Sequence, residues 1–200
     1  MENFEKSYRR KTNCSRIQLD FNTCFYFGGN FFERFYSKFD SILKDSFSLV
    51  KILENTKFNL DSFLFTVDFE SLYTNIPVKD AIEMMKKLVF QFQNVIQNAH
   101  FVIELLEIVL KNSLMEFDKE YFQQIFGIIM GTNLAPILAN LYLAMLQEEL
   151  KKKCKHDTKL KWPSLFLRFI DDGFGSMEGT KKCRILDLSI QQSKRNHKNR

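Results

Sequence analysis

The period of the apolar positions changes several times along the chain, and each change marks an element. Phe32, Phe35, Phe39, Leu43, Phe47 and Val50 follow helical spacing, which predicts one or two short helices between Phe32 and Leu53. Leu64–Asp68 is an apolar run that predicts a short buried strand. Thr74-Asn75-Ile76-Pro77 is a helix-start signal with proline in the first turn. Ile82, Met85, Leu88, Val89 and Phe92 then mark one helix face, and Val102, Leu105, Leu106, Val109 and Leu110 mark a second. Met115–Phe117 and Tyr121–Gln124, joined by Asp118-Lys119-Glu120, predict a small hairpin. A glycine-bearing turn over Gly127–Asn133 leads into a helix over Leu134–Leu150, with Pro136 near its start. Lys151–Lys161 is a charged connection, Ser164–Ile170 a strand, and Gly173–Met177 its hairpin return. Residues 1–20 are polar, basic and irregular in pattern. This order favours an α+β layer fold.

Composition supports a packed domain. The chain has 200 residues, 45% hydrophobic, with 22 phenylalanines and only 3 prolines. Its net charge is +5, but the seven basic residues of 181–200 oppose only Asp187, so the remainder is slightly acidic. Charge alone therefore gives little weight to nucleic-acid binding, because a basic tail is more often a solvated end. Cys14, Cys24, Cys154 and Cys183 form no C-x-x-C pair, and Cys154 with His156 is a poor start for a zinc site. The N-terminus has no apolar signal core, which reads as an intracellular chain with free thiols. Tyr121–Gln147 contains no charged residue, yet Gly127, Gly131, Asn133, Pro136 and Asn140 interrupt it. It reads as strand, turn and helix rather than a membrane span.

The candidate chemistry lies in "LFLRFIDDGFG", an apolar strand that ends on Asp171-Asp172. Adjacent carboxylates repel unless a cation neutralises them. Read alone, the pair is as well explained by a solvated turn as by half a metal site. Asp68 also follows an apolar strand, and read alone it is a turn former. If the two strands are neighbours in one sheet, their ends bring Asp68 beside Asp171, and the metal reading gains.

Three stretches then match one pattern in order: "FTVDFESLYTNIP" (65–77), "GIIMGTNLAPILANLYL" (127–143) and "LRFIDDGF" (167–174). They resemble motifs A, B and C of the reverse transcriptase palm, most like those of Penelope-like retroelements, whose polymerase is related to telomerase. The resemblance runs from about Phe35 to Glu178. It implies a polymerase palm, an antiparallel sheet backed by helices, with a partial fingers region. The domain plan is then an N-terminal segment of uncertain structure (1–34), a fingers and palm core (35–180) and a basic, disordered tail (181–200). The implied activity is RNA-directed DNA synthesis, with an RNA template, a DNA primer and dNTP as partners. The implied cofactor is two Mg²⁺ ions, with Mn²⁺ as the alternative. Asp68 and Asp171 would ligate both ions, Asp172 would support them, and the Phe69 carbonyl would be a further ligand. Tyr73 matches the steric gate that excludes a 2′-hydroxyl by a clash. Met130 and Gly131 match the nucleotide-binding turn, where glycine permits close backbone approach.

The chain departs from the family pattern at several places. Phe169 stands where many members have tyrosine, and Met130 where many have glutamine. Arg9, Arg10 and Lys11 are the nearest match to an upstream triphosphate-binding motif, but read more simply as a solvated terminus. No thumb, primer grip or endonuclease is recognisable. The alternative is thus a truncated, inactive remnant with at most weak nucleic-acid binding. An RNA-templated RNA polymerase is disfavoured by Tyr73, and an unrelated phosphohydrolase gains nothing from "MGTNLAP". An active parent element would work in the nucleus.

Overall fold

The structure is a computed structural model that describes residues 8–11, 30–92, 98–112, 114–156 and 161–178. In chain order the elements are β1 (Tyr8–Lys11), a 3-10 turn (Tyr36–Lys38), α1 (Ser46–Asn55), β2 (Ser62–Asp68), α2 (Leu72–Asn75), α3 (Val78–Gln91) and α4 (Ala99–Lys111). There follow β3 (Leu114–Phe117), β4 (Glu120–Gln124), α5 (Leu134–His156), β5 (Leu165–Phe169) and β6 (Asp172–Glu178). The fold is α+β, with two antiparallel three-stranded sheets among the described residues. The chain divides into two compact units, Met1–Arg34 with Tyr73–Ala139, and Phe35–Leu72 with Asn140–Arg200. The basic tail 181–200, Cys14, Cys24, Cys183 and His197 lie outside the described residues, while Cys154 is half-buried on α5.

In the first unit the sheet order is β1-β4-β3. Tyr8–Lys11 is a strand, not irregular chain, and Arg9 and Arg10 pair with Gln123 and Phe122 of β4. The β3–β4 hairpin turns through Asp118 and Lys119, both at positive φ (49° and 61°), a type I′ pattern built without glycine. Helices α3 and α4 pack together. They bury the two expected stripes: Ile82, Met85, Leu88 and Val89 on one, and Val102, Leu106, Val109 and Leu110 on the other. Glu107 binds Lys111 and Lys86, and these ammonium groups hold its carboxyl down at about 2. Proline at 77 stands just outside α3, and its carbonyl accepts from Ala81 N at 3.0 Å.

In the second unit the sheet order is β2-β6-β5, so β6 is central. Residues 41–43 add a parallel bridge on the outer side of β5. Arg168 N donates to the Ser41 carbonyl (2.7 Å), and Leu43 N donates to the Arg168 carbonyl (2.8 Å). On β6, Gly175 lies between Phe65 and Phe166, whose rings stack with centroids 6.3 Å apart. A Cβ at 175 would fall 2.3 Å from the Phe65 ring. The glycine is therefore roofed by aromatic rings that occupy the space its side chain would need.

Two further expectations, for β2 and for the end of α5, do not hold. β2 is not a buried strand: among the described residues it forms a sheet edge, with Phe63 45% and Leu64 55% exposed. Helix α1 forms inside the span where the spacing predicts a helix, although it buries none of its residues and leaves Phe47 and Val50 exposed. Helix α5 does not stop at Leu150 but runs on to His156, where Lys153, Lys155 and His156 suit the negative end of the helix dipole.

Candidate active site

The β5–β6 hairpin closes with Phe169 opposite Asp172, leaving Ile170 and Asp171 as a two-residue loop. Ile170 has φ 52°, while Asp171 is not among the positive-φ residues. That is the pattern of a type II′ turn, whose first central position normally holds glycine. A β-branched residue there is strained, by about 1–3 kcal/mol. Two hydrogen bonds hold the loop. The Ile170 carbonyl accepts from Arg168 Nη1 at 2.6 Å, and the Asp171 carbonyl accepts from Phe69 N at 3.1 Å.

The second bond also defines the ladder. Asp68 is registered directly opposite Asp172, and the Phe69-to-Asp171 bond makes them a non-hydrogen-bonded pair. Side chains of such pairs stand on one face and at their closest. The row Asp68–Asp172–Phe169 thus crosses all three strands, with Thr66–Phe174–Leu167 as the next row. A cavity of about 370 Å³ opens over this face, lined by these residues together with Leu49 of α1 and others. Both Asp68 and Asp172 are exposed, and Asp171 is half-buried.

Behind the loop sits a fully buried cation. Arg168 has 0% exposure, and its Nη1 and Nη2 donate to Asn140 Oδ1 (2.5 Å) and to the Asn140 carbonyl (2.7 Å) of α5. Asn140 Nδ2 in turn donates to the Tyr36 hydroxyl at 3.2 Å. Burial pushes the guanidinium down to about 10, opposed by Tyr36 and by the charge of Asp171, so it stays protonated at neutral pH.

The donors available for a cation are the carboxylates of Asp68, Asp171 and Asp172 and the Phe69 carbonyl, all oxygen. Among the described residues no three His, Cys, Asp or Glu side chains are gathered as a metal-holding group. The donor chemistry still fits Mg²⁺, which takes one or two carboxylates and completes its shell with water and phosphate.

Tyr73, Met130 and Gly131 belong to the first unit. The Tyr73 carbonyl accepts from Ile128 N at 2.8 Å, and the ring is half-buried. Gly127 (φ +81°) is closed in at this point, since a Cβ there would lie 2.8 Å from Thr74 Cα. Gly131 also needs its glycine, at φ +91°, but nothing stands within 4 Å of the Cβ position. Met130 is 62% exposed. Thr132 Oγ1 accepts from Ala135 N at 3.2 Å and so caps the start of α5.

No protein-family model matches the chain, and no curated protein matches it. Apo telomerase from Candida tropicalis matches with a TM-score of 0.57 at 10% identity, over 86% of this chain and 33% of that one. Solved telomerases have this fold. A second Candida tropicalis telomerase structure, truncated from its C-terminal domain, gives 0.55 at 14% identity over 88% of this chain and 35% of that one. Telomerase from Candida albicans, in complex with the TWJ fragment of telomeric RNA, gives 0.53 at 10% identity over 95% and 33%. The chain therefore spans about a third of the telomerase chains it matches. The telomerase-like fold agrees with the palm expected from the three motifs, an antiparallel sheet with helices. Among the described residues no helix is long and apolar enough to cross a membrane.

Sequence reasoning passed over Arg168, Asn140 and Tyr36. The signal for Arg168 was present: a charged residue inside the apolar run "LFLRFI" has to face either solvent or a polar cage. Asn140, an amide amid the apolar positions of a helix, was its counterpart.

Proposed function

We propose that this chain carries the palm core of an RNA-directed DNA polymerase, of the kind found in Penelope-like retroelements. The observation that supports it most is the corner of the second unit. Asp68 and Asp172 stand opposite each other on one face, with Asp171 in the adjoining loop, on a telomerase-like fold. In the proposed reaction the primer 3′-hydroxyl attacks the α-phosphate of a dNTP and pyrophosphate leaves, with catalysis resting on positioning and charge neutralisation. Asp68, Asp171, Asp172 and the Phe69 carbonyl would hold two divalent cations. When bound, these would polarise the phosphate and neutralise the developing charge. The chain's own residues supply the rest. Tyr73, five residues beyond Asp68, would exclude the 2′-hydroxyl. Met130 and the open Gly131 backbone would lie along the nucleotide. Binding of RNA is supported by the Candida albicans telomerase, solved in complex with the TWJ fragment of telomeric RNA; its use as template follows from the motif resemblance. Synthesis onto chromosomal DNA would place the protein in the nucleus.

Primer extension on poly(rA)/oligo(dT) with dTTP and Mg²⁺ tests the reading. Incorporation that is lost in Asp171→Asn supports it. Incorporation that survives Asp171→Asn refutes the carboxylate assignment. No incorporation by this chain, beside activity in a version extended at both ends, would favour the inactive remnant. The slightly acidic body of the chain is the feature that favours that second reading, since polymerases grip nucleic acid through basic channels.

A further inference from the structure

Arg168 is the one ionisable side chain among the buried polar residues of the described chain. A buried cation is expensive unless it is paired with an anion and fully hydrogen-bonded. Arg168 meets neither condition. Its hydrogen-bond partners are all neutral, namely the Ile170 carbonyl and the carbonyl and Oδ1 of Asn140, and its Nε has no partner. A hydrophobic side chain of similar size would fill the space at less cost, so packing alone does not account for the residue.

Its geometry does account for it. The backbone of Arg168 is clamped on the outer side by Ser41 and Leu43. Its guanidinium is anchored to α5 through Asn140, whose amide is oriented in turn by the Tyr36 hydroxyl. From that fixed position Nη1 reaches two residues forward to the Ile170 carbonyl. Ile170 is the residue at positive φ, the one the chain would most readily relax. Relaxing it would turn the Ile170–Asp171 peptide and swing the Asp171 and Asp172 carboxylates. The positive charge also lies within electrostatic reach of Asp171.

We propose that Arg168 is a positioning residue for the acidic corner, with its buried guanidinium locking the strained Ile170–Asp171 loop from behind so that Asp171 and Asp172 are held ready for a divalent cation. The proposal rests on the metal-dependent reading given above. Tyr36 and Asn140 act through Arg168 and form its anchor.

The experiment is a Mn²⁺ titration of the whole chain followed by electron paramagnetic resonance, with urea melts to verify folding. The wild type should bind Mn²⁺, and Asp171→Asn should weaken binding tenfold or more. If wild type does not bind, or Asp171→Asn binds as wild type does, the metal reading fails and this proposal falls with it. Given a sensitive Asp171, Arg168→Met should also weaken Mn²⁺ at least tenfold while the chain stays folded. Arg168→Lys, which keeps the charge and can keep one of the forked contacts, should fall between. Should Arg168→Met not fold, Arg168→Lys carries the test alone, with three- to tenfold weaker binding expected. Wild-type affinity in a folded Arg168→Met, or in Arg168→Lys when Met does not fold, would reduce Arg168 to a core residue and overturn the proposal.

Discussion

Neutralising Asp172 should make the metal-free protein more stable. Asp68 and Asp172 form a non-hydrogen-bonded cross-strand pair, so their side chains stand about 5 Å apart. Both are exposed, so the dielectric is close to that of water. Two like charges at that distance repel by about 0.8 kcal/mol. Screening reduces this to about 0.4 kcal/mol at 0.15 M salt, restores about 0.7 at 0.01 M, and leaves less than about 0.2 at 1 M. Asp172→Asn should therefore raise the urea midpoint by roughly 0.2 M near physiological salt. Asp68→Asn should give the same gain, and the double variant no more than either single one, because each change relieves the same repulsion. Asp171→Asn should move the other way, since its charge faces the buried Arg168. Adding Mg²⁺ should stabilise the wild type by mass action and leave Asp172→Asn behind. If Asp172→Asn is neutral or destabilising at every salt concentration, or if the two gains add, the ladder assignment and the shared face are wrong.

Other expectations follow from the same structure. Gly175→Ala drives a Cβ into the Phe65 ring, which must swing off Phe166; net destabilisation of about 1–2 kcal/mol should appear in urea melts, and Phe65→Leu in the same chain should remove most of it. Gly127→Ala meets backbone at 2.8 Å and a positive φ as well, so a loss of about 2–3 kcal/mol is expected, with no partner side chain able to relieve it. Ile170→Gly should stabilise the fold by about 1 kcal/mol by relieving the loop, read in the same melts, while weakening Mn²⁺ binding. The carboxyl of Glu107 should titrate near 2 by NMR. A depressed value means that its contribution to stability is present above the ordinary glutamate range and is lost as pH falls toward 2. Lys111→Met and Lys86→Met should each move that titration back up.

What could be read from the sequence follows from how local each signal is. The stripes of α3 and α4 were legible because one face meets one partner. The β5–β6 hairpin was legible because apolar alternation stops at a turn that carries its own charges. β2 was misread because "FLFTV" is as apolar as a buried strand, and nothing in those residues says that they stand at the edge of the described sheet. β1 was missed because Tyr-Arg-Arg-Lys shows no alternation, and its pairing with β4 lies more than a hundred residues away. The extra turns of α5 hid in Lys151–His156, where a run of lysines looks like a loop but also suits a helix end. Within the site, the expectation that neighbouring strands bring Asp68 beside Asp171 is corrected: β6 lies between β2 and β5, so Asp68 stands opposite Asp172 instead. Arg168 was not legible, since its burial depends on where Asn140 and Tyr36 arrive in space.

The Ile170 loop carries a consequence for how such a chain would change over generations. A glycine at 170, an amide at 172 and an apolar residue at 168 would each ease a local burden, and each is a small step in sequence. Copies filtered only for folding would lose the features around the loop early, while Gly127 and Gly175, which folding itself requires, would outlast them. The order in which these positions decay is thus a clock that separates a chain still held to the proposed activity from one already released from it.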